Sequence, residues 1–208
     1  MPGISNQTVR TTLFVLVVIA LVCLPFAIFG EDFVLPLLQT RAQQAGALTL
    51  AATALLAADA VAPIPSSLVI LYVGAKAGPL WGFVGGAVGL SLGVLAAAWL
   101  GRHAVGRLAP RFLPDAELAR LRRALTERLG VTLACCRSIP VLAETSVLVA
   151  AAMGIPPGRI FRVTLLPNAI VAAVYALAAD DSLSTAALTL ALTTLASWLY
   201  WRWSQRDR

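Results

Sequence analysis

Charge is scarce in this sequence. Asp, Glu, Lys and Arg make up 12% of 208 residues, about half the share of an ordinary soluble domain, which excludes a soluble globule. Metal and redox ligands are equally few: the one histidine is His103, and the three cysteines, Cys23, Cys135 and Cys136, form no C-x-x-C pair. Neither a disulfide framework nor a metal site of the usual ligand spacing can be assembled from that set, and no cofactor is expected. Lysine is nearly missing, since all but Lys76 of the 16 basic residues are arginine. In an alanine-rich chain that balance suits a GC-rich bacterial gene. The net charge is +6, but the charges punctuate apolar runs instead of forming a basic face, so nucleic acid is not an expected partner and membrane phosphate is.

What the chain has in abundance is apolar sequence, 59% of residues, with a mean hydropathy of +0.84. A bilayer core of roughly 30 Å needs about 20 mostly apolar residues in a helix. Thr11 to Phe29, Leu80 to Leu100 and Leu183 to Tyr200 are uncharged runs of that order, and Ile160 to Ala179 joins them if Arg162 sits at its interfacial end. These are four expected transmembrane helices. The first is read as retained and not as a secretory signal, because its basic region is Arg10 alone and no A-x-A site follows. Trp81 and Trp99 lie 18 residues apart, about 27 Å along a helix, and mark both interfaces of the second span, as Trp198, Tyr200, Trp201 and Trp203 mark the exit of the last.

Two further apolar runs are broken. Residues 45–73 contain Asp59 and then Pro63-Ile64-Pro65-Ser66-Ser67; residues 131–153 contain Arg137-Ser138-Ile139-Pro140 and then Glu144. Proline removes backbone donors and disfavours helix at the residue before it, so Pro63, Pro65 and Pro140 are read as helix breaks. Irregular backbone and charge at membrane depth are tolerated only inside protein or beside a wet cavity, and both segments are therefore expected to be re-entrant hairpins. Counting positive charge supports this. If each hairpin returns to its own side, one side collects Arg10, the arginines from 102 to 128, Arg159, Arg162 and the tail arginines, while the other keeps Arg41 and Lys76. That partition puts both termini in the cytoplasm.

The expected architecture is an all-α integral membrane protein of four transmembrane helices and two inverted re-entrant helical hairpins whose broken helices meet near the midplane, an arrangement of many secondary transporters. The segments are 1–44, an N-terminal helix and interfacial stretch weakened by Pro36; 45–179, the membrane domain, with hairpin 45–73, span 80–100, an Arg-rich cytoplasmic stretch 101–130, hairpin 131–153 and span 160–179; and 180–208, a C-terminal helix and basic tail. Within 101–130 a surface helix capped by Asp115 is expected, with leucines 118, 121, 125 and 129 on one face, and His103 is expected in a solvated loop. Gly85, Gly89 and Gly93, with Gly82 and Gly86 offset, make a helix-packing face.

Asp59, Arg137 and Glu144 are the ionisable residues at membrane depth. They admit two readings. They form a structural ion pair with a third charge facing water, or they form a substrate and proton site in which Arg137 holds an anionic head group through its forked donors and the acids exchange protons. Ser66 and Ser67, at the start of a half-helix, would add hydroxyls and amides for an anion; helix capping accounts for them equally well.

These residues resemble the DedA family of membrane proteins, also called SNARE-associated or VTT-domain proteins. The resemblance spans roughly Gln39 to Ala179. It rests on Asp59 ahead of Pro63-Ile64-Pro65, Gly74, the Gly-rich helix ending in Gly101-Arg102, the Arg137-Ser138-Ile139-Pro140 element, and Met153 with Phe161 and Thr164 beyond. It implies two re-entrant hairpins facing each other and lipid movement across the bilayer: undecaprenyl phosphate recycling or phospholipid translocation in bacteria, scramblase activity in eukaryotic relatives. It also implies that Asp59 and Arg137 match positions on which family activity depends. Pro65-Ser66-Ser67 stands where many relatives carry Pro-Gly-acid, and Ala143-Glu144 where many carry a second arginine, a change that bears on substrate more than on fold. The expected function is thus a flippase for a phosphate-bearing lipid in the cytoplasmic membrane; the alternative is a non-transporting scaffold or assembly factor. An enzyme is not expected, because no membrane segment offers a catalytic histidine, cysteine pair or carboxylate cluster. Anionic lipid head groups are the expected partners, and pairing with a second copy of the chain is left open.

Overall fold

The computed structural model describes residues 12–20, 34–40, 44–59, 64–137 and 140–180. The described residues form helices and connections, with no strand among them: α1 (12–20), α2 (Val34–Gln39), α3 (Ala45–Ala58), α4 (Ser66–Ala77), α5 (Pro79–Leu100), α6 (Gly106–Phe112), α7 (Asp115–Glu127), α8 (Leu129–Cys136), α9 (Pro140–Ala152) and α10 (Pro157–Leu177). The expected C-terminal crossing 183–200, most of the first crossing, Pro63, Ser138 and Ile139 lie outside the described residues.

Among the described residues two helices are long and apolar enough to cross a membrane: the 34-residue run Pro79–Phe112 and the 21-residue α10. The first exceeds the expected span 80–100, because α5 does not stop at Leu100. It passes through a π-helical turn, Gly101–Val105, directly into α6. Tight packing accompanies the turn: a Cβ on Gly101 would stand 2.5 Å from the Leu148 carbonyl oxygen. His103 is therefore not in a loop. It is exposed on the π turn, its Nδ1 2.9 Å from the Trp99 carbonyl oxygen and its ring 4.9 Å from the Trp99 ring.

Local sequence explains most boundaries. Proline at the start of α5 and of α10 occupies a position whose missing N–H would have no intrahelical partner. Pro36 is tolerated in α2 for the same reason, since it stands in the first turn. Gly78 separates α4 from α5 at φ 98°, a backbone region that glycine enters without strain. Asp115 proves to be the first residue of α7 and not its cap, because Pro114 takes the capping position. Leu118, Leu121 and Leu125 pack inward, as expected of that face, and Leu129 opens α8.

Three apolar clusters hold the helices together. One joins α2, α3, α4, α5 and α10; a second joins α5, α8, α9 and α10; a third packs α1, the π turn and α6 against α9. The central pair is α5 with α10, and α5 is also the helix on which α3 and α4 rest. Its glycines make that closeness possible. Gly85, Gly89 and Gly93 face α3, where a Cβ on Gly89 would meet the Leu56 Cβ at 2.7 Å and one on Gly93 the Leu56 carbonyl oxygen at 2.7 Å. Gly82 faces α4, its Cβ position 2.9 Å from the Gly74 backbone. The opposite face of α5 carries Leu80, Trp81, Val84, Val88, Leu92, Leu95 and Trp99, all exposed. Small residues inside and large apolar residues outside invert the usual distribution of a water-soluble protein.

Candidate functional site

Both broken runs fold as pairs of short helices. α3 ends at Ala58 with Asp59 as its C-cap and α4 starts at Ser66; α8 ends at Cys136 with Arg137 as its C-cap and α9 starts at Pro140. The two breaks converge. Asp59, Arg137 and Glu144 line one small cavity of about 10 Å³, together with Leu56, Leu90, Gly93, Val94, Ala97 and Val147 among the described residues. That volume is near the minimum that admits one water.

Each charged side chain is nearly sealed from solvent: Asp59 is 6% exposed, and the side chains of Arg137 and Glu144 are 7% and 13% exposed. Their bonds differ in kind. The Ile64 amide donates to Asp59 Oδ1 at 2.6 Å, so this carboxylate ties the chain before the first break to the chain after it. Arg137 Nη1 stands 3.8 Å from Glu144 Oε1, well beyond the 2.7–2.9 Å of a charge-assisted hydrogen bond. The pair is held by Coulomb attraction, and no hydrogen bond from the guanidinium reaches another described residue. Two carboxylates against one guanidinium leave an excess negative charge when both acids are ionised. An apolar wall strengthens every one of these interactions.

The arrangement can exchange a guanidinium partner, take up or release a proton on a carboxyl group, and hold a water. It cannot hold a phosphate head group at its present volume. Ser66 and Ser67, singled out as anion ligands, do not line the cavity. They open α4 beyond Ile64, whose amide is already taken by Asp59, and neither makes a side-chain cap. Pro65 takes the capping position of α4 and Pro140 begins α9.

A buried polar set nearby was missed in the sequence. Asn168 is fully buried on α10, and its Nδ2 donates to Ser91 Oγ on α5 at 3.4 Å, while Ser91 Oγ donates to the Ala87 carbonyl. Asn168 Oδ1 and the buried Thr145 Oγ1 find no partner among the described residues. The available signal was a lone amide directly after Pro167 in an otherwise apolar run. Among the described residues no group of histidine, cysteine and carboxylate side chains is arranged to hold a metal ion. Set against protein-family models, characterised proteins and solved structures, the chain matches none of them.

Proposed function

We propose that this chain is an integral membrane protein of the DedA type that moves a phosphate-bearing lipid, undecaprenyl phosphate or a phospholipid, across the cytoplasmic membrane. In this reading Pro79–Phe112 and α10 cross the bilayer, the apolar runs Thr11 to Phe29 and Leu183 to Tyr200 supply two more crossings, and the pairs α3–α4 and α8–α9 are inverted re-entrant hairpins. No helix in either pair exceeds 14 residues, too few to span roughly 30 Å alone.

The observation that carries the proposal is the small cavity that Arg137, Asp59 and Glu144 line together. Burying ionisable groups in an apolar bundle is costly, by about 2.5–3.5 kcal/mol each at a membrane helix centre, and such groups mark transport paths. Arg137, held loosely by Glu144, is the group free to trade its carboxylate for a lipid phosphate, whose geometry suits its forked donors. Opening of the cavity is then part of the cycle, and a proton on Asp59 or Glu144 offsets the charge that the phosphate brings. The exposed apolar stripe on α5 supports lipid contact.

One observation favours the alternative, a scaffold in which the charges only fix hairpin packing: the short bond from the Ile64 amide to Asp59 is a structural staple. Reconstitution into liposomes separates the two. Head-group movement followed with a surface-accessible reporter should occur for the wild type, vanish in Arg137→Ala, and return in part in Arg137→Lys, which keeps the charge but loses the bidentate geometry. A scaffold moves no lipid in any of the three. Orientation has its own test. Cysteines at Lys76 and Asp180 should label from outside and those at Arg123 and Arg159 only from inside; outside labelling at Arg159 removes the inverted repeat.

A further inference from the structure

At the C-terminal end of the Pro79–Phe112 helix lies a groove of about 430 Å³ that shares no lining residue with the charged centre. Its floor is apolar, from Ala109, Leu118 and Met153, and its rim is cationic, from Arg122 and Arg123 of α7. No carboxylate is among its described lining residues. Asp115, Glu117 and Glu127 are the acids of α7. Below the rim, Gly154 ends α9 at φ 80°, and a Cβ placed there would stand 3.7 Å from the Arg122 guanidinium carbon. The exposed side chain of Arg122 thus lies over the chain reversal after α9.

We propose that this groove binds the head group of an anionic phospholipid as a resident ligand, separate from the lipid that is transported. The proposal rests on the membrane placement argued above, and three observations lead to it. The apolar outer stripe of α5 stops at Trp99; Gly106, the first groove residue, follows about 10 Å further along the helix, which sets the groove at head-group level. Arg122 and Arg123 both line the groove, and each guanidinium carries the forked donors that a phosphodiester accepts. The apolar floor takes the glycerol and upper acyl segments, which a free phosphate lacks, and the volume suits one head group. A lipid held there bridges α6, α7 and α9 and braces the second broken pair from outside the charged centre.

The test uses the full chain in a neutral detergent, with native mass spectrometry and thermal melting as readouts. Three probes are compared: phosphatidylglycerol, phosphatidylcholine and glycerol phosphate. Phosphatidylglycerol should bind as one retained copy and raise the melting temperature, with the effect falling as salt is added; the other two should do neither at equal concentration. Arg122→Gln with Arg123→Gln removes the charge-assisted donors and should weaken phosphatidylglycerol binding at least about tenfold. Arg120→Gln, on the same helix but outside the groove, and Arg137→Lys should leave it unchanged. Should the double variant fold poorly, Ala119→Trp fills the groove from the exposed face of α7 and must abolish binding with every arginine in place. Equal binding of phosphatidylcholine overturns the proposal, as does full competition by glycerol phosphate. Loss of binding in Arg137→Lys with retention in the double variant also overturns it, and assigns the lipid to the charged centre. Alkaline washing of membranes keeps the two readings apart: a chain that stays in the membrane pellet yet ignores phosphatidylglycerol loses the groove and keeps the transport proposal.

Discussion

At the first break, between α3 and α4, a side chain holds backbone: Asp59 accepts from the Ile64 amide at 2.6 Å. At the second, between α8 and α9, a side chain holds another side chain, Arg137 against Glu144 at 3.8 Å. A short bond to a backbone amide fixes where the chain re-enters the fold. A long contact between two flexible side chains fixes little, and each partner can be traded for another of the same charge. The first pair is also gripped from behind, because the last turn of α3 rests on Gly89 and Gly93 through Leu56. The two breaks therefore differ in kind: a short bond to backbone at one, a longer side-chain ion pair at the other.

Substitutions can break that difference, beginning with the largest effect. Arg137→Gln leaves two carboxylates at one cavity with no counter-charge, and the loss of one partner of a buried ion pair costs about 3–5 kcal/mol; the protein should still insert but melt well below the wild type. Asp59→Ala removes the tether to Ile64 and should cost about 2 kcal/mol, read from the same melts, whereas Asp59→Asn keeps an acceptor and should cost less than half of that. Gly93→Ala sets a methyl group against the Leu56 carbonyl and should cost about 1–3 kcal/mol by overpacking, with the loss rescued in part by smaller residues at Leu56. Glu144→Gln should matter least, under about 1 kcal/mol, because it removes the excess negative charge and leaves one carboxylate, Asp59, facing the one guanidinium, so no buried charge is left uncompensated. A Glu144→Gln variant as unstable as Asp59→Ala would show that the second break is as firmly clamped as the first.

The features legible in the sequence were those that local chemistry sets. Proline, paired at 63 and 65 and single at 140, and isolated charges inside apolar runs marked both breaks, and glycines every four residues marked the face of α5 that approaches α3. The structure reports both without needing any distant partner to explain them. Where local chemistry and packing disagree, the sequence misled. Arg102, His103 and Arg107 read as a polar loop, yet the helix continues through them, since their side chains reach solvent while Gly101 and Val105 stay buried on the other side of the turn. Asp115 read as a cap, but proline at 114 has the extended backbone that a cap needs. The Asn168–Ser91 contact joins residues 77 apart, and no pattern along the chain announces a pairing of that kind. Ser66 and Ser67 read equally as anion ligands and as a helix start; they open α4 and are not among the residues lining the cavity.

The account's central claim is that the charges at the two breaks carry lipid and not merely packing. The most direct measurement is head-group translocation in liposomes at two pH values, at matched protein amounts, for the wild type, Arg137→Ala and Asp59→Asn. The account predicts a wild-type rate that changes with pH, no translocation in Arg137→Ala at either pH, and a rate in Asp59→Asn that no longer responds to pH. Wild-type rates in both variants at both pH values would contradict it and leave the buried charges a structural role alone.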